Sequence, residues 1–128
     1  MGNILFQNAL KNQNKDRPPI WFMRQAGRYL PEFREIRKDN PNFINLCLNH
    51  DLSSEITLQP IKRFDLDAAI IFSDILMLPF GLGQKVEFEK NFGPKLGELN
   101  LNEIAKTDEI DFVEKIHRVY KAIKKVCN

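Results

Sequence analysis

Cysteine, histidine and tryptophan are scarce in this 128-residue chain, which has two, two and one of them. Cys47 and Cys127 fit neither a CxxC pair nor a zinc spacing. That points to reduced, partly buried thiols and away from a metal site or a disulfide framework. His50 and His117 are isolated on helix or loop surface, and no nucleophile–base pair or metal set is visible. Charge of one sign is also lacking: the net charge of +2 is too small to mark a nucleic-acid or acidic-membrane partner. No apolar run is long enough to span a bilayer, and the longest uncharged one, residues 75–84, is broken by Pro79, Gly81 and Gly83. The N-terminus MGNILFQNALKNQNK lacks the basic start and apolar centre of a secretory signal, and Phe6 stands where myristoylation needs Ser or Thr. Gly81-Leu-Gly83 lacks the GxGxxG spacing of a dinucleotide loop, and no Walker-type loop is present. These absences predict a cytoplasmic protein whose basic function, if any, is confined to one place.

What is present is the composition of a folded protein, 43% hydrophobic and 28% charged. No repeat or low-complexity linker divides residues 1–128, so one domain with one core is expected. Ile4, Leu5, Ala9 and Leu10 give a short helical stripe, followed by a polar loop and Pro18-Pro19. Residues 20–23, Ile-Trp-Phe-Met, form a bulky apolar run that suits a strand buried on both faces. Pro31 opens a helix with Glu32 and Glu35 early and Arg37 and Lys38 late, the polarity that a helix dipole favours. Asn40-Pro41 starts a second piece through Phe43, Leu46 and Cys47. Asp51 suits the N-cap of a third, with Ile56, Ile61 and Phe64 inward and a kink at Pro60. Residues 67–74 are a second continuous apolar run, read as another buried parallel strand. Val86 and Phe88 alternate with Glu87 and Glu89 before a turn at residues 91–94, a solvated hairpin. Phe112, Ile116, Val119, Tyr120 and Ile123 mark a long amphipathic helix, with Lys124 and Lys125 towards its end. Two strands flanked by helices open an α/β fold with a parallel sheet, and the chain looks like the start of something larger.

Chemistry concentrates at the ends of the two apolar runs. Arg24 and Arg28 flank Gln25-Ala26-Gly27 with no carboxylate between them. Two surface arginines at this spacing are common. Two features nevertheless favour a site: Arg24 ends an apolar run directly, and Gly27 lets a ligand approach the backbone. In parallel α/β folds ligands gather at strand C-termini, where guanidinium groups grip carboxylate or phosphate through paired N–H donors. Arg37 adds a further cation, most simply a solvated helix-end charge. Asp74 ends the second run. It suits a cap on the following turn, an ion-pair partner of the arginines, or an acceptor for the N–H groups of a bound heterocycle.

The strings PPIWFMRQAGRYLPEFREIR, ITLQP and FDLDAAIIFSDILMLPFGLG resemble, in order and spacing, the N-terminal part of the uroporphyrinogen decarboxylase family. The resemblance covers residues 18–97. It implies a (β/α)₈ TIM barrel, incomplete in this chain because such barrels need about 250 residues. It also implies a homodimer that removes the four acetate carboxyl groups of uroporphyrinogen III to give coproporphyrinogen III, with no metal or organic cofactor. Carried over by position, the family's substrate-binding arginines fall on Arg24 and Arg28, the intervening backbone on Gln25, Ala26 and Gly27, a further substrate arginine on Arg37, and the essential aspartate on Asp74. The family's later site residues, a tyrosine, a serine or threonine and a histidine, have no counterpart here. The chain alone is therefore expected to be inactive and, with a half-covered barrel edge, prone to aggregate. Two rivals remain at this point. One is a cobalamin-linked methyltransferase of the same superfamily; the other is a non-catalytic anion- or porphyrin-binding module.

Overall fold

The computed structural model describes residues 4–14, 17–89 and 92–128. It is mostly helical, with one small sheet. Helix α1 (Ile4–Leu10) leads into the loop, and α2 (Pro31–Asp39) starts on Pro31 as its sequence requires. Proline there has a preset φ and lacks only an N–H that the first turn could not use. Helix α3 (Phe43–Leu48) is capped by Asn42, whose side chain accepts from the Asn45 N–H at 2.9 Å. Helix α4 (His50–Phe64) follows at once. Its cap is Asn49, not Asp51: the Asn49 side chain accepts from the N–H groups of Asp51 and Leu52. Asp51 instead sits in the first turn and pairs with Lys125. The helix runs through Pro60 to Phe64, which is half exposed and stacks on Tyr29 at 6.3 Å rather than facing inward.

A short α5 (Met77–Gly81) precedes the expected hairpin, β1 (Val86–Glu89) paired antiparallel with β2 (Gly93–Leu96). Gly93 and Pro94 belong to the second strand rather than to the turn, and Asn91 lies outside the described residues. Helix α6 (Leu101–Ile104) leads to α7 (Glu109–Cys127), which packs along α4 and α5. Of its predicted stripe, Ile116 is buried and Phe112 and Val119 are half-buried, while Tyr120 and Ile123 remain largely in solvent.

Two core clusters hold the molecule. Leu30, Phe33, Leu46 and Ile56 form one; Ile44, Cys47 and Met77 form the other. Phe72 packs against both. Its ring meets Phe33 and Phe43 edge-on, at 5.7 and 5.8 Å between centroids, the arrangement that aromatic quadrupoles favour.

The two expected parallel strands are the main correction. Residues 20–23 and 67–74 form no ladder, the first ending in a turn at Met23 and the second bending at Asp67 and Phe72, and the only sheet among the described residues is the hairpin. One backbone hydrogen bond joins the two segments, from the Asp67 N–H to the Ile20 carbonyl at 2.9 Å. The run read as buried on both faces is open to solvent, with Phe22 62% and Met23 78% exposed. A buried parallel strand needs a neighbour on each side and a layer over each face. Among the described residues nothing covers this run.

Polar side chains take the place of the ladder. The buried Asp67 carboxylate accepts two bonds from Arg17, at 2.6 and 3.0 Å, and one from the Ile20 N–H at 2.8 Å. On the other side, two buried hydroxyls of α4 clasp Phe72. Its N–H donates to Thr57 Oγ1 at 2.8 Å, and its carbonyl accepts from Ser53 Oγ at 2.6 Å. Backbone groups that pairing would have satisfied are thus satisfied by side chains, as buried polar groups require.

Candidate functional site

The loop between residues 23 and 30 is shaped by its own sequence. Leu30 is buried in the first core cluster and anchors the loop's end, where its N–H closes a turn on the Gly27 carbonyl at 3.0 Å. From α2, Arg34 donates to the Arg28 and Tyr29 carbonyls at 2.9 and 3.3 Å. The Tyr29 hydroxyl donates to the Gln25 carbonyl. A turn tied this way holds Arg24 and Arg28 outward, and both are exposed. Neither guanidinium has an ion-pair or hydrogen-bond partner among the described residues. Inside the chain Gly27 is not sterically required: a Cβ there comes no nearer than 3.8 Å to the Tyr29 ring.

Asp74 follows Phe72 and Ser73 at the end of the second apolar segment. One of its oxygens caps the next turn, accepting from the Leu76 N–H at 2.8 Å, and its carbonyl accepts from the Met77 N–H at 3.0 Å. The capping role is therefore real. No ion pair joins Asp74 to Arg24 or Arg28, which removes the ion-pair alternative for this state of the chain. The second carboxylate oxygen has no partner among the described residues.

All three groups line one open depression of about 730 Å³. Gln25, Ala26 and Gly27 form its floor with Arg24 and Arg28, while residues 70–74 form the facing side. Phe33, Phe43 and Phe72 add apolar wall. A concave surface with apolar sides and a few convergent charges is the usual form of a small-molecule site. Two exposed guanidinium groups and a carboxylate lining one depression with apolar side chains suit a ligand that carries several acid groups and also N–H donors.

Arg37 is not among the lining residues. It donates to the Asn40 carbonyl beyond the end of α2, and its guanidinium lies 5.7 Å from the centre of the Phe43 ring. In this chain it finishes its own helix, as a basic residue near a C-terminus does. It touches the depression only through Phe43. Of the other sequence candidates, His117 bonds the Glu114 carbonyl and His50 lies 3.7 Å from Asp51, both away from the depression. No group of three or more potential metal ligands occurs among the described residues. Among the described residues no helix is long and apolar enough to cross a membrane.

Sequence reasoning named Gln25 only for its backbone between the arginines, and missed the bridging role of its side chain together with Ser53 and Thr57. Gln25 is buried, and both ends of its side chain are engaged: Nε2 donates to the Ala68 carbonyl at 2.8 Å and Oε1 accepts from the Phe22 N–H at 3.1 Å. What Gln25 leaves to a ligand is backbone. Ser53 and Thr57 sit four residues apart on the inward face of α4, and a pair of hydroxyls on a core-facing stripe was the available signal. Cys47 lies beneath the site. Burial above all, with the Asp74 carboxylate adding and Arg37 opposing, pushes its thiol up to about 12, so it stays neutral.

The family model described as "Uroporphyrinogen decarboxylase (URO-D)" matches residues 1–128. A uroporphyrinogen decarboxylase of Rickettsia canadensis (strain McKiel) is 51% identical over 119 residues, 93% of this chain and 35% of that protein. That of Rickettsia rickettsii (strain Sheila Smith) is also 51% identical over 119 residues, 34% of its length. That of Caulobacter vibrioides (strain NA1000 / CB15N) is 54% identical over 94 residues, 73% of this chain and 27% of its own. The chain spans about a third of the length of the Rickettsia relatives it matches.

Proposed function

The chain belongs to the uroporphyrinogen decarboxylase family, and on that premise we propose that it supplies one wall of a decarboxylase active site for uroporphyrinogen III. The observation that carries the reading is the single depression lined by Arg24, Arg28 and Asp74, with both guanidinium groups unpaired. Arg24 and Arg28 hold acetate carboxylates of the substrate. Asp74 receives the pyrrole N–H groups on its free oxygen.

The chemistry follows from what the substrate lacks. An acetate on a pyrrole gives up carbon dioxide only if the bonding electrons have somewhere to go. Protonation of a ring carbon turns the pyrrole into a cationic acceptor. The bond between the methylene and the carboxylate then breaks, its electron pair moves into the ring, and carbon dioxide leaves. The methylene takes a proton and becomes a methyl group while the ring proton is released. The sink is the substrate's own ring, so the step calls on no metal or organic cofactor. Asp74 stabilises the ring cation as it develops, in a setting of apolar walls where a fixed carboxylate acts more strongly than in water. Positioning of the carboxylates by the arginines supplies the rest. Arg37, on the far side of Phe43, reaches a substrate only by releasing the Asn40 carbonyl.

The fold proposed for the whole protein is a single (β/α)₈ barrel acting as a homodimer, with residues 20–23 and 67–74 as its first two parallel strands. From this wall alone, polycarboxylate binding is the expected property and turnover is not. Titration with uroporphyrin, a fluorescent octacarboxylate, tests the reading. Arg24→Ala and Arg28→Ala each weaken binding at least tenfold, as loss of a charged hydrogen-bond partner does. Affinity equal to the parent's in both variants refutes the arginine roles. Unchanged affinity in Asp74→Asn leaves that residue a turn cap only, and coproporphyrinogen formed by the purified chain refutes the claim that one wall is insufficient.

A further inference from the structure

The two sides of the depression come from segments more than forty residues apart in sequence, and no strand ladder sets their spacing. Gln25 bridges them. Its side chain is 3% exposed and lies between Arg24 and Arg28 in sequence. Its Nε2 donates to the Ala68 carbonyl, six residues before Asp74, and its Oε1 accepts from the Phe22 N–H, two residues before Arg24. Its own carbonyl accepts from the Tyr29 hydroxyl, which closes the arginine turn. One buried carboxamide therefore joins the segment before the arginines to the segment that leads to Asp74, while the backbone of the same residue ties the arginine turn. Only an amide does this: a carboxylate lacks the donor for Ala68, and a thioether lacks both functions.

We propose that Gln25 is a positioning residue, whose carboxamide sets the separation between the arginine pair and Asp74. This rests on the functional reading above for its consequence, but not for its geometry. Phe22 is largely exposed and Ala68 only half-buried, so water can replace the lost partners. Removing the amide should cost the fold little and the site much.

The test is Gln25→Met in the complete chain, with two independent readouts. The first needs no ligand. Amide hydrogen exchange at residues 68–74 should quicken at least tenfold, while exchange in α7 stays unchanged. Unaltered exchange at 68–74, or a uniform rise that includes α7, overturns the positioning role. The second is a double-mutant cycle on uroporphyrin affinity. Gln25→Met should weaken binding at least fivefold in the parent chain but less than twofold in Asp74→Asn, because a misplaced Asp74 and an absent one cost alike. Full additivity overturns the proposal. Absence of uroporphyrin binding by the parent chain overturns the functional reading alone, and the exchange result then decides the role of Gln25.

Discussion

Thr57→Val removes one oxygen from the interior and nothing else of comparable size. Thr57 is fully buried, and its hydroxyl donates to the Ser53 carbonyl at 2.7 Å while accepting from the Phe72 N–H at 2.8 Å. Valine fills the same space with a methyl group. The Phe72 N–H then faces carbon, and a buried donor without a partner costs about 1–3 kcal/mol. The added methyl returns roughly 0.8 kcal/mol of apolar burial. The hydrogen bond to Ser53 is lost as well, but its carbonyl keeps its place in the helix ladder. The expected net loss is about 1–2 kcal/mol. For a chain of this size that lowers the melting temperature by roughly 3–10 °C. Urea denaturation followed by far-UV circular dichroism gives the energy, and amide exchange gives the location. Phe72 should lose its protection in Thr57→Val and keep it in Thr57→Ser, which retains the oxygen. A Thr57→Val chain as stable as the parent, with Phe72 still protected, refutes the view that the α4 hydroxyls stand in for a strand partner.

Four further outcomes follow from the same structure. Cys127 is exposed and Cys47 is buried, so Ellman's reagent at pH 8 should titrate one thiol in the native chain and both only in urea. Because burial raises Cys47 from 9.0 to about 12, the folded state holds its proton longer than the unfolded one. Its contribution is complete below pH 9 and is lost as pH rises towards 12, so Cys47→Ala should flatten the alkaline fall in urea midpoint. In acid the sign reverses. Glu32 is held below 4.5, chiefly by its own backbone N–H and then by Arg63, and Asp51 below 3.8, chiefly by Lys125. The stability both supply is present above those values and drains as pH falls through their lower folded values. Glu32→Gln with Asp51→Asn should blunt the decline in melting temperature below pH 4.5, and an identical acid profile contradicts both assignments. Gly81→Ala places a Cβ 2.6 Å from Phe112 Cε2 and 3.2 Å from Ile116 Cγ2. Overpacking of that kind costs about 1–3 kcal/mol, and a urea midpoint equal to the parent's would show that α7 yields freely.

The sequence was most legible where structure is local. Pro31, Glu32, Arg37 and Lys38 mark the two ends of α2, and the stripe through Phe112, Ile116 and Val119 marks α7, because such signals act within a few turns of the residues that carry them. Residues 20–23 and 67–74, read as buried strands, form no ladder in this chain, because a strand is defined by its neighbours and apolar content says nothing of who they are. Asp51 lost the cap to Asn49 by two positions for a smaller reason: both residue types cap well, and the choice depends on where α3 ends. Arg24, Arg28 and Asp74 line one depression even though their strands do not form: Asp74 follows Phe72, which packs on both core clusters, and the arginine loop ends on the buried Leu30. Arg37 is not among the lining residues, and its guanidinium bonds the Asn40 carbonyl at the end of its own helix. Gln25 stood inside a motif, but the motif did not tell what its side chain binds, and Ser53 and Thr57 offered only their spacing: a buried polar side chain is informative only once its partners are known.

The placement of Phe72 joins these observations. Its ring belongs to both core clusters, its backbone is clasped by Ser53 and Thr57, and Asp74 lies two residues beyond it. A ligand that engages Asp74 and the arginines together therefore binds only the arrangement in which that clasp is closed. Binding to one state stabilises it by an amount set by ligand concentration over dissociation constant, about 2.7 kcal/mol at a hundredfold excess. The same linkage runs backwards. Whatever loosens the clasp weakens the ligand, although neither Ser53 nor Thr57 lines the depression. In a wall built without a strand ladder, the residues that fix affinity extend one layer behind those that touch the ligand.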